Sequence, residues 1–179
     1  MTTYISLLRG INVSGQKKVK MAELKVLYES LGLEDVATYI QSGNVIFKDD
    51  RDAPALKSCL EQNIEQHFSF HVPVEVIPHH EFMKVNNQLP FDDINLEQDG
   101  TKVLITFLSE LPQATLIEKL MSYVKAPEQL VIKEKVIYLH CPNGYGKTKL
   151  SNNFIENKLK VTATTRNLKT IAKLSSLAI

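Results

Sequence analysis

The sequence predicts an α+β protein built from two halves, each with the element order β-α-β-β-α-β. Short β-rich runs alternate with segments in which apolar residues recur every three or four positions, and this order occurs twice within 179 residues. A content of 44% hydrophobic and 23% charged residues is typical of globular proteins, and a chain of this length can bury a substantial core. The repeat is one of element order and not of residue identity.

The first half is predicted to span residues 1–78. Its elements, in order, are strand Tyr4–Arg9, a helix from Lys20 that Gly32 ends, strands Val36–Gln41 and Asn44–Lys48, a helix capped by Asp52, and strand Val72–Ile77. Apolar residues line one face of each helix. The Ser42-Gly43 pair is a hairpin signal, because glycine tolerates the positive φ that tight turns require.

Residues 79–100 are predicted to connect the halves. His79–Gln88 has the pattern of a short helix, whereas Leu89–Gly100 contains a proline, a glycine and a run of acids and amides typical of an exposed loop. We therefore expect the second half to begin at residue 101.

The second half, residues 101–179, repeats the order with an additional helix. Its elements are strand Lys102–Leu108, a helix opened by Pro112, strands Leu130–Lys133 and Val136–His140, a helix through Leu150, Phe154 and Leu159, a short extended piece Thr162–Thr165, and a last helix lined by Leu168, Ile171 and Leu174. The final strand is only weakly predicted, and the last helix is predicted to begin within Thr164–Asn167. Both halves thus have the ferredoxin-like pattern.

Positive charge is unevenly distributed, although the formal net charge is +1. Residues 51–100 hold three Lys or Arg against nine Asp or Glu, whereas residues 141–179 hold seven against one. Such asymmetry favours a surface for an anionic partner. Two alternatives remain: the two segments neutralise each other across the fold, or the lysines form only a solvated face.

Several classes of protein receive no support. The N-terminal MTTYISLLRG lacks the features of a signal peptide, and no apolar run approaches the ~18 residues of a membrane helix. Cys59 and Cys141 lie far apart, which favours a reduced, cytoplasmic location. His67 and His71 should not share a helix face, because His71 belongs to the next strand, and His79 and His80 have no second ligand cluster nearby, so we predict no metal site. We predict no other cofactor, since neither a dinucleotide fingerprint nor a flavin motif appears.

Two glycine-bearing basic loops each join a strand to a helix. The motif G-Y-G-K-T at Gly144–Thr148 has the context of a phosphate-binding loop, but Cys141 stands where the Walker pattern requires glycine. A plain turn and a modest anion site are both compatible with it. The loop Gly10–Lys18 ends in lysines, and its alternative is a flexible connection with solvated lysines.

Two further features have a functional and a structural interpretation. Arg166 is predicted in the first turn of the last helix, where the helix dipole disfavours a positive charge. Its presence there is explained either by a bound anion or by ordinary sequence variation at a helix start. Aromatic residues in strands could stack on RNA bases, although packing is their commoner role; they are Tyr4, Tyr39, Phe47 and Tyr138.

Four segments carry a resemblance to a known family. They are LLRGINVSGQKKVKM, LYESLGLEDVATYIQSGNVIF, IYLHCPNGYGKTKL and TTRNLKTIAKL, and they resemble the bacterial domain of unknown function 1697. The chain departs from the family pattern at Leu168, where tryptophan is common, and at Ser14, where glycine is frequent. The resemblance implies a ferredoxin-like α+β fold and a bacterial cytosolic protein, and it implies no activity.

The leading hypothesis is a binding module for an anionic ligand, which could be a nucleotide, a phosphorylated metabolite or a nucleic acid. We expect the loops to gather in one positively charged hollow. The predicted ligand-binding residues are Arg9, Asn12, Lys17, Gln41, Asn44, Lys147, Arg166 and Asn167. Arginine suits bidentate phosphate contacts, and lysine acts as a point charge. The alternatives are an enzyme acting on a small polar substrate, with Arg166 as an electrostatic stabiliser, and a protein-interaction adaptor.

Overall fold

The computed structural model describes residues 1–178 of the chain. These residues form two compact units. The first comprises Met1–Lys84 together with the C-terminal residues from Leu174, and the second comprises Val85–Lys173.

The first unit is a four-stranded antiparallel sheet with helices. Its elements are β1 (Thr2–Leu8), α1 (Met21–Ser30), β2 (Glu34–Tyr39), β3 (Asn44–Asp49), α2 (Ala53–Phe68) and β4 (Val74–Pro78), followed by the start of α3 (His79–Asn87). The strand order is β2-β3-β1-β4. The chain therefore follows the predicted ferredoxin-like order, with the two most buried strands, β3 and β1, at the centre of the sheet.

One face of this sheet packs against α1 and α2. Side chains of alternate strand residues meet the apolar helix faces, so that Tyr4, Phe47 and Tyr28 form one aromatic cluster. Ring centroids of Tyr4 and Phe47 are 5.8 Å apart, and those of Tyr28 and Phe47 are 5.6 Å apart. Tyr4 and Phe47 are buried, and so is Tyr138 of the second unit. These rings belong to the core, so stacking on RNA bases is not available to them.

The second unit has the same topology. Its elements are α4 (Leu96–Asp99), β5 (Val103–Leu108), α5 (Ala114–Met121), β6 (Gln129–Lys133), β7 (Val136–His140), a 3-10 turn (Tyr145–Lys147), α6 (Asn152–Leu159), β8 (Ala163–Asn167) and the start of α7 (Leu168–Leu177). The sheet is antiparallel, with the order β6-β7-β5-β8. The predicted fold class is confirmed.

Several element boundaries differ from the predictions. The loop predicted over Leu89–Gly100 contains the one-turn helix α4, because the Asn95 side chain accepts hydrogen bonds from the amides of Glu97 and Gln98 at 3.0 and 3.1 Å. Leu150 is buried ahead of α6 and not within it. The last strand, β8, extends to Asn167 and is therefore longer than predicted.

The predicted helix start within Thr164–Asn167 is wrong, because these residues belong to β8. They pair with β5 in antiparallel register, Arg166 opposite Ile105 and Asn167 opposite Leu104. Helix α7 begins at Leu168, and the Asn167 side chain caps it by accepting a hydrogen bond from the Thr170 amide at 2.9 Å. A threonine-rich segment favours extended structure once a partner strand is present, and that partner lies far away in the sequence.

Gly43 in the β2–β3 turn has both an unusual conformation and no space for a side chain. Its φ is +85°, and an added Cβ would lie 2.7 Å from Ile11 Cδ1 and 2.8 Å from Leu8 Cβ. We expect Gly43→Ala to lower the free energy of unfolding by about 3 kcal/mol, combining left-handed strain with overpacking. Urea denaturation followed by circular dichroism measures this change.

Gly32→Ala is the matched control. Gly32 has φ +82°, but an added Cβ would meet nothing within 4 Å. This variant should lose only about 1 kcal/mol, from the left-handed conformation alone. Equal losses in the two variants would contradict the close packing at Gly43.

Candidate functional site

The connection between β1 and α1 is a curled segment rich in lysine, residues Arg9–Lys20, termed the basic loop. Five of its residues have positive φ, namely Gly10, Asn12, Ser14, Gly15 and Lys17. Its tip is closed by a hydrogen bond from the Gln16 amide to the Val13 carbonyl at 2.9 Å. Glycine, asparagine and serine at these positions permit the left-handed conformations, which explains the composition of the segment.

The side chain of Asn12 holds the basic loop in place. Its Nδ2 donates to the carbonyls of Val19 at 2.9 Å and Gln41 at 2.8 Å, and its Oδ1 accepts from the Val19 amide at 2.9 Å. Both amide hydrogens are thereby used within the protein. Asn12 therefore acts as a positioning residue that ties the loop to the β2–β3 turn.

Asn44 fixes the same turn from within. It is fully buried, and its Nδ2 donates to the Tyr39 carbonyl at 2.8 Å and to Ser42 Oγ at 3.0 Å. Gln41 contributes its backbone carbonyl to Asn12, and its side chain is exposed to solvent. Of these two predicted ligand-binding residues, Gln41 has the accessible amide.

Several basic side chains lie near the C-terminal end of β1. Arg9 follows β1 directly, and its amide donates to the Pro73 carbonyl at 2.9 Å. Lys17 Nζ donates to the His71 carbonyl at 2.7 Å, and Lys18 and Lys20 are exposed. The basic loop, the β2–β3 turn and the segment before β4 thus meet at one end of the sheet, which brings together Arg9, Asn12, Lys17, Gln41 and Asn44.

The two histidines nearest this end are engaged with glutamates. His67 Nε2 lies 2.9 Å from a carboxylate oxygen of Glu23, and His71 Nδ1 lies 3.5 Å from one of Glu65. Across residues 1–178 there is no group of three His, Cys, Asp or Glu side chains arranged to hold a metal ion.

The G-Y-G-K-T loop of the second unit does not form a phosphate-binding loop of the Walker type. Thr148 Oγ1 donates to Glu128 Oε2 at 2.7 Å and accepts from the Leu150 amide at 3.1 Å, so this hydroxyl is used within the protein. Helix α6 starts only at Asn152, and Ser151 caps it by accepting from the Phe154 amide at 3.2 Å. Lys147 lies exposed at the end of the 3-10 turn that precedes Thr148.

Arg166 is a half-buried cation in β8. Its Nη1 donates to the Thr165 carbonyl at 3.0 Å, and burial lowers its pKa to about 10. The group remains protonated at neutral pH. The neighbouring Thr165 hydroxyl donates to Asn152 Oδ1 at 2.7 Å and lies 2.7 Å from Thr106 Oγ1, so it forms part of an internal polar network.

The second unit thus holds Lys147, Arg166 and Asn167, of which Asn167 caps α7. The Tyr145 side chain, at the start of the 3-10 turn, is hydrogen-bonded to Thr165 of β8, and burial raises the pKa of its hydroxyl. The turn that carries Lys147 is therefore adjacent to β8. That Arg9, Lys147 and Arg166 gather in one hollow stays a prediction.

One cluster was missed by the sequence analysis. In the second unit, Lys149 and Lys158 lie over the rings of Tyr123 and Phe154. The local signal was the four-residue spacing of Phe154 and Lys158, which places both on one face of a helix. Tyr123 is too distant in sequence for such a pattern to include it.

These features define an α+β protein of two ferredoxin-like units, with a fixed basic loop in the first. A family described as "Protein of unknown function (DUF1697)" has a model that matches residues 1–138. The chain belongs to the DUF1697 family. The match includes the two N-terminal segments of the expected resemblance, whereas the last segment, TTRNLKTIAKL, lies beyond it.

A solved structure shares the whole fold. It is described as the structure of conserved bacterial protein SP0830 from Streptococcus pneumoniae, with 28% sequence identity and a TM-score of 0.78 over 99% of each chain. No curated protein matches the sequence. Among residues 1–178, no helix has the length and apolar character needed to cross a bilayer.

Asn12→Ala tests the positioning role of Asn12. The variant loses three hydrogen bonds and leaves the amide of the buried residue Val19 without its acceptor, so we expect a loss of about 2 kcal/mol in the free energy of unfolding. Gln41→Ala is the control, because the backbone carbonyl that Asn12 contacts is retained. Urea denaturation should show a change within about 0.5 kcal/mol for this control. A stable Asn12→Ala protein would show that the loop is held by other contacts.

The two free cysteines should differ in reactivity. Cys141 is buried, which raises its pKa to about 11, whereas Cys59 is partly exposed. Because the thiolate is the nucleophile, a disulfide reagent at mildly alkaline pH should modify Cys59 first and Cys141 only after denaturant is added. Cys59→Ser should remove the fast phase and Cys141→Ser should retain it. A fast phase that survives Cys59→Ser would contradict the burial of Cys141.

Proposed function

We propose that this protein is a binding module for an anionic ligand (a nucleotide, a phosphorylated metabolite or a nucleic acid) and that the basic loop forms its site. The observation that carries the proposal is the collection of Arg9, Lys17, Lys18 and Lys20 on one loop whose conformation Asn12 fixes. A preorganised loop binds without a large cost in ordering its chain.

The three lysines of the basic loop form no ion pair with a carboxylate of residues 1–178. Elsewhere in the first unit, lysines do have such partners: Lys25 with Glu29 at 3.8 Å, Lys48 with Asp35 at 2.8 Å and Lys57 with Glu75 at 3.0 Å. Lys17, Lys18 and Lys20 therefore leave positive potential at the end of the sheet, which attracts anions.

The loop backbone adds donors to this charge. Among residues 1–178, the amides of Ser14 and Gly15 have no hydrogen-bond acceptor, and both residues have positive φ. Successive amides in turns of this kind form concavities that bind anions. The exposed Gln41 side chain, on the turn that Asn12 joins to the loop, could contact a base or a hydroxyl group.

The length of the basic loop is particular to the first unit. Residues 9–20 join β1 to α1, whereas only residues 109–113 join β5 to α5 at the equivalent place in the second unit. The second unit therefore shows that the topology shared by the two units does not require a connection as long as the basic loop. Binding residues are found disproportionately on such loops above a rigid scaffold.

Arg166 supports a second candidate, an enzyme acting on a small polar substrate. A half-buried arginine acts more strongly on developing negative charge than an exposed one, because less water screens it. We further propose a cytoplasmic location, which the two free cysteines support.

A thermal-shift experiment on the full chain tests the proposal. Inorganic phosphate, nucleoside triphosphates and a short oligonucleotide are titrated separately, and at least one should raise the melting temperature. The triple variant Lys17→Gln, Lys18→Gln, Lys20→Gln should abolish that shift. The control variant Lys125→Gln, Lys135→Gln, Lys169→Gln removes the same charge from exposed sites of the second unit and should keep it.

Equal responses of the two triple variants would reject the basic loop as the site. The double variant Lys147→Ala, Arg166→Ala separately tests whether the second unit contributes. Loss of the shift in this double variant would show that binding also depends on the second unit, and an unchanged shift would restrict the site to the first unit.

A further inference from the structure

An aromatic–lysine patch lies on the helical side of the second unit. It consists of Tyr123, just after α5, Phe154 and Lys158 on α6, and Lys149 in the segment before α6. The rings of Tyr123 and Phe154 meet edge to face, with centroids 5.0 Å apart and planes at 83°. Both rings are half-buried, so each keeps part of its surface in solvent.

Both lysines converge on these two rings. Lys149 Nζ lies 5.0 Å from the Tyr123 centroid and 5.9 Å from that of Phe154, and Lys158 Nζ lies 4.8 and 5.3 Å from the same centroids. The two ammonium groups are therefore at most about 10 Å apart. Ring quadrupoles attract each cation, but they do not remove the repulsion between the two.

No carboxylate of residues 1–178 forms an ion pair with either lysine. Glu156, the acid on α6 between Phe154 and Lys158, instead accepts a hydrogen bond from the Ala163 amide at 2.8 Å. Glu128, near the preceding turn, accepts one from Thr148. Glu156 and Glu128 are thus engaged elsewhere, and they do not neutralise the positive charge of the patch.

We infer that this patch is a docking surface for single-stranded nucleic acid. Half-buried aromatic rings beside cations match the two parts of such a strand, since bases stack on the exposed part of a ring and phosphates pair with ammonium groups. Lysine side chains are long and flexible, so each ammonium can leave its ring for a phosphate oxygen and uncover the ring face for a base. An acidic peptide would use the charge and leave the rings without a stacking partner.

The surface differs from the proposed site on the basic loop in its unit, its aromatic content and its expected ligand contacts. The basic loop offers backbone amides and lysines to an anion. The patch offers two rings and two lysines, and therefore requires bases as well as phosphates.

Fluorescence anisotropy of labelled oligo(dT) and oligo(U), each of about 12 nucleotides, tests the inference with the full-length protein. Lys149→Gln, Lys158→Gln should weaken binding at least about tenfold and reduce the dependence of log K on log salt by about 0.7 for each phosphate that the variant no longer neutralises. Tyr123→Leu and Phe154→Leu should each weaken binding about fivefold or more without changing that dependence, because stacking is not ionic.

Two variants serve as controls. Lys135→Gln, Lys169→Gln removes the same charge from exposed positions of the same unit and should bind as the wild type does. Lys149→Gln, Lys158→Gln should keep the phosphate or nucleotide response that the basic-loop triple variant loses, so that the two proposals fail separately.

Three outcomes would overturn the inference. The wild type could fail to bind either oligonucleotide at low salt, or the control double variant could weaken binding as much as Lys149→Gln, Lys158→Gln. Binding of poly-glutamate as tight as that of the oligonucleotides, unaffected by Tyr123→Leu, would instead assign the patch to an acidic protein partner.

Discussion

The hydrogen bonds of the Asn12 side chain determine the shape of the candidate site. They connect the start and end of the basic loop to each other and join the loop to the β2–β3 turn. A loop with five left-handed residues would otherwise sample many conformations, because glycine and polar residues restrict the chain little. The lysines therefore present their charge from a defined backbone.

Close packing also constrains the backbone at the same end of the sheet. Gly43 leaves room for Ile11 and Leu8, and Asn44 satisfies its buried amide within its own turn. Several polar and glycine residues of the N-terminal segments that resemble the family thus have a structural role that needs no ligand. Lys17 also contacts the His71 carbonyl, whereas no side-chain hydrogen bond within residues 1–178 holds Lys18 or Lys20, and this contrast directs the functional proposal to the lysines.

The two units show how one topology can carry different surfaces. In the first, the long connection follows β1 and bears lysines above a fixed backbone. In the second, the long connection follows β7, and Thr148 and Ser151 use their hydroxyl groups within it. Lys149 and Lys158 lie beside Tyr123 and Phe154 instead. The same antiparallel topology thereby carries a lysine-rich loop in one unit and an aromatic, basic surface in the other.

The sequence by itself determined the element order, because apolar spacing and turn residues are local signals that survive in any context. It also identified the basic loop, since its glycines and lysines lie within one short segment of the sequence. Only the tertiary structure decided that Arg166 lies in a strand, because β5, its pairing partner, is distant in the sequence. The same reason applies to Asn12 and to Tyr123, whose contacts cross long stretches of chain and leave no local pattern.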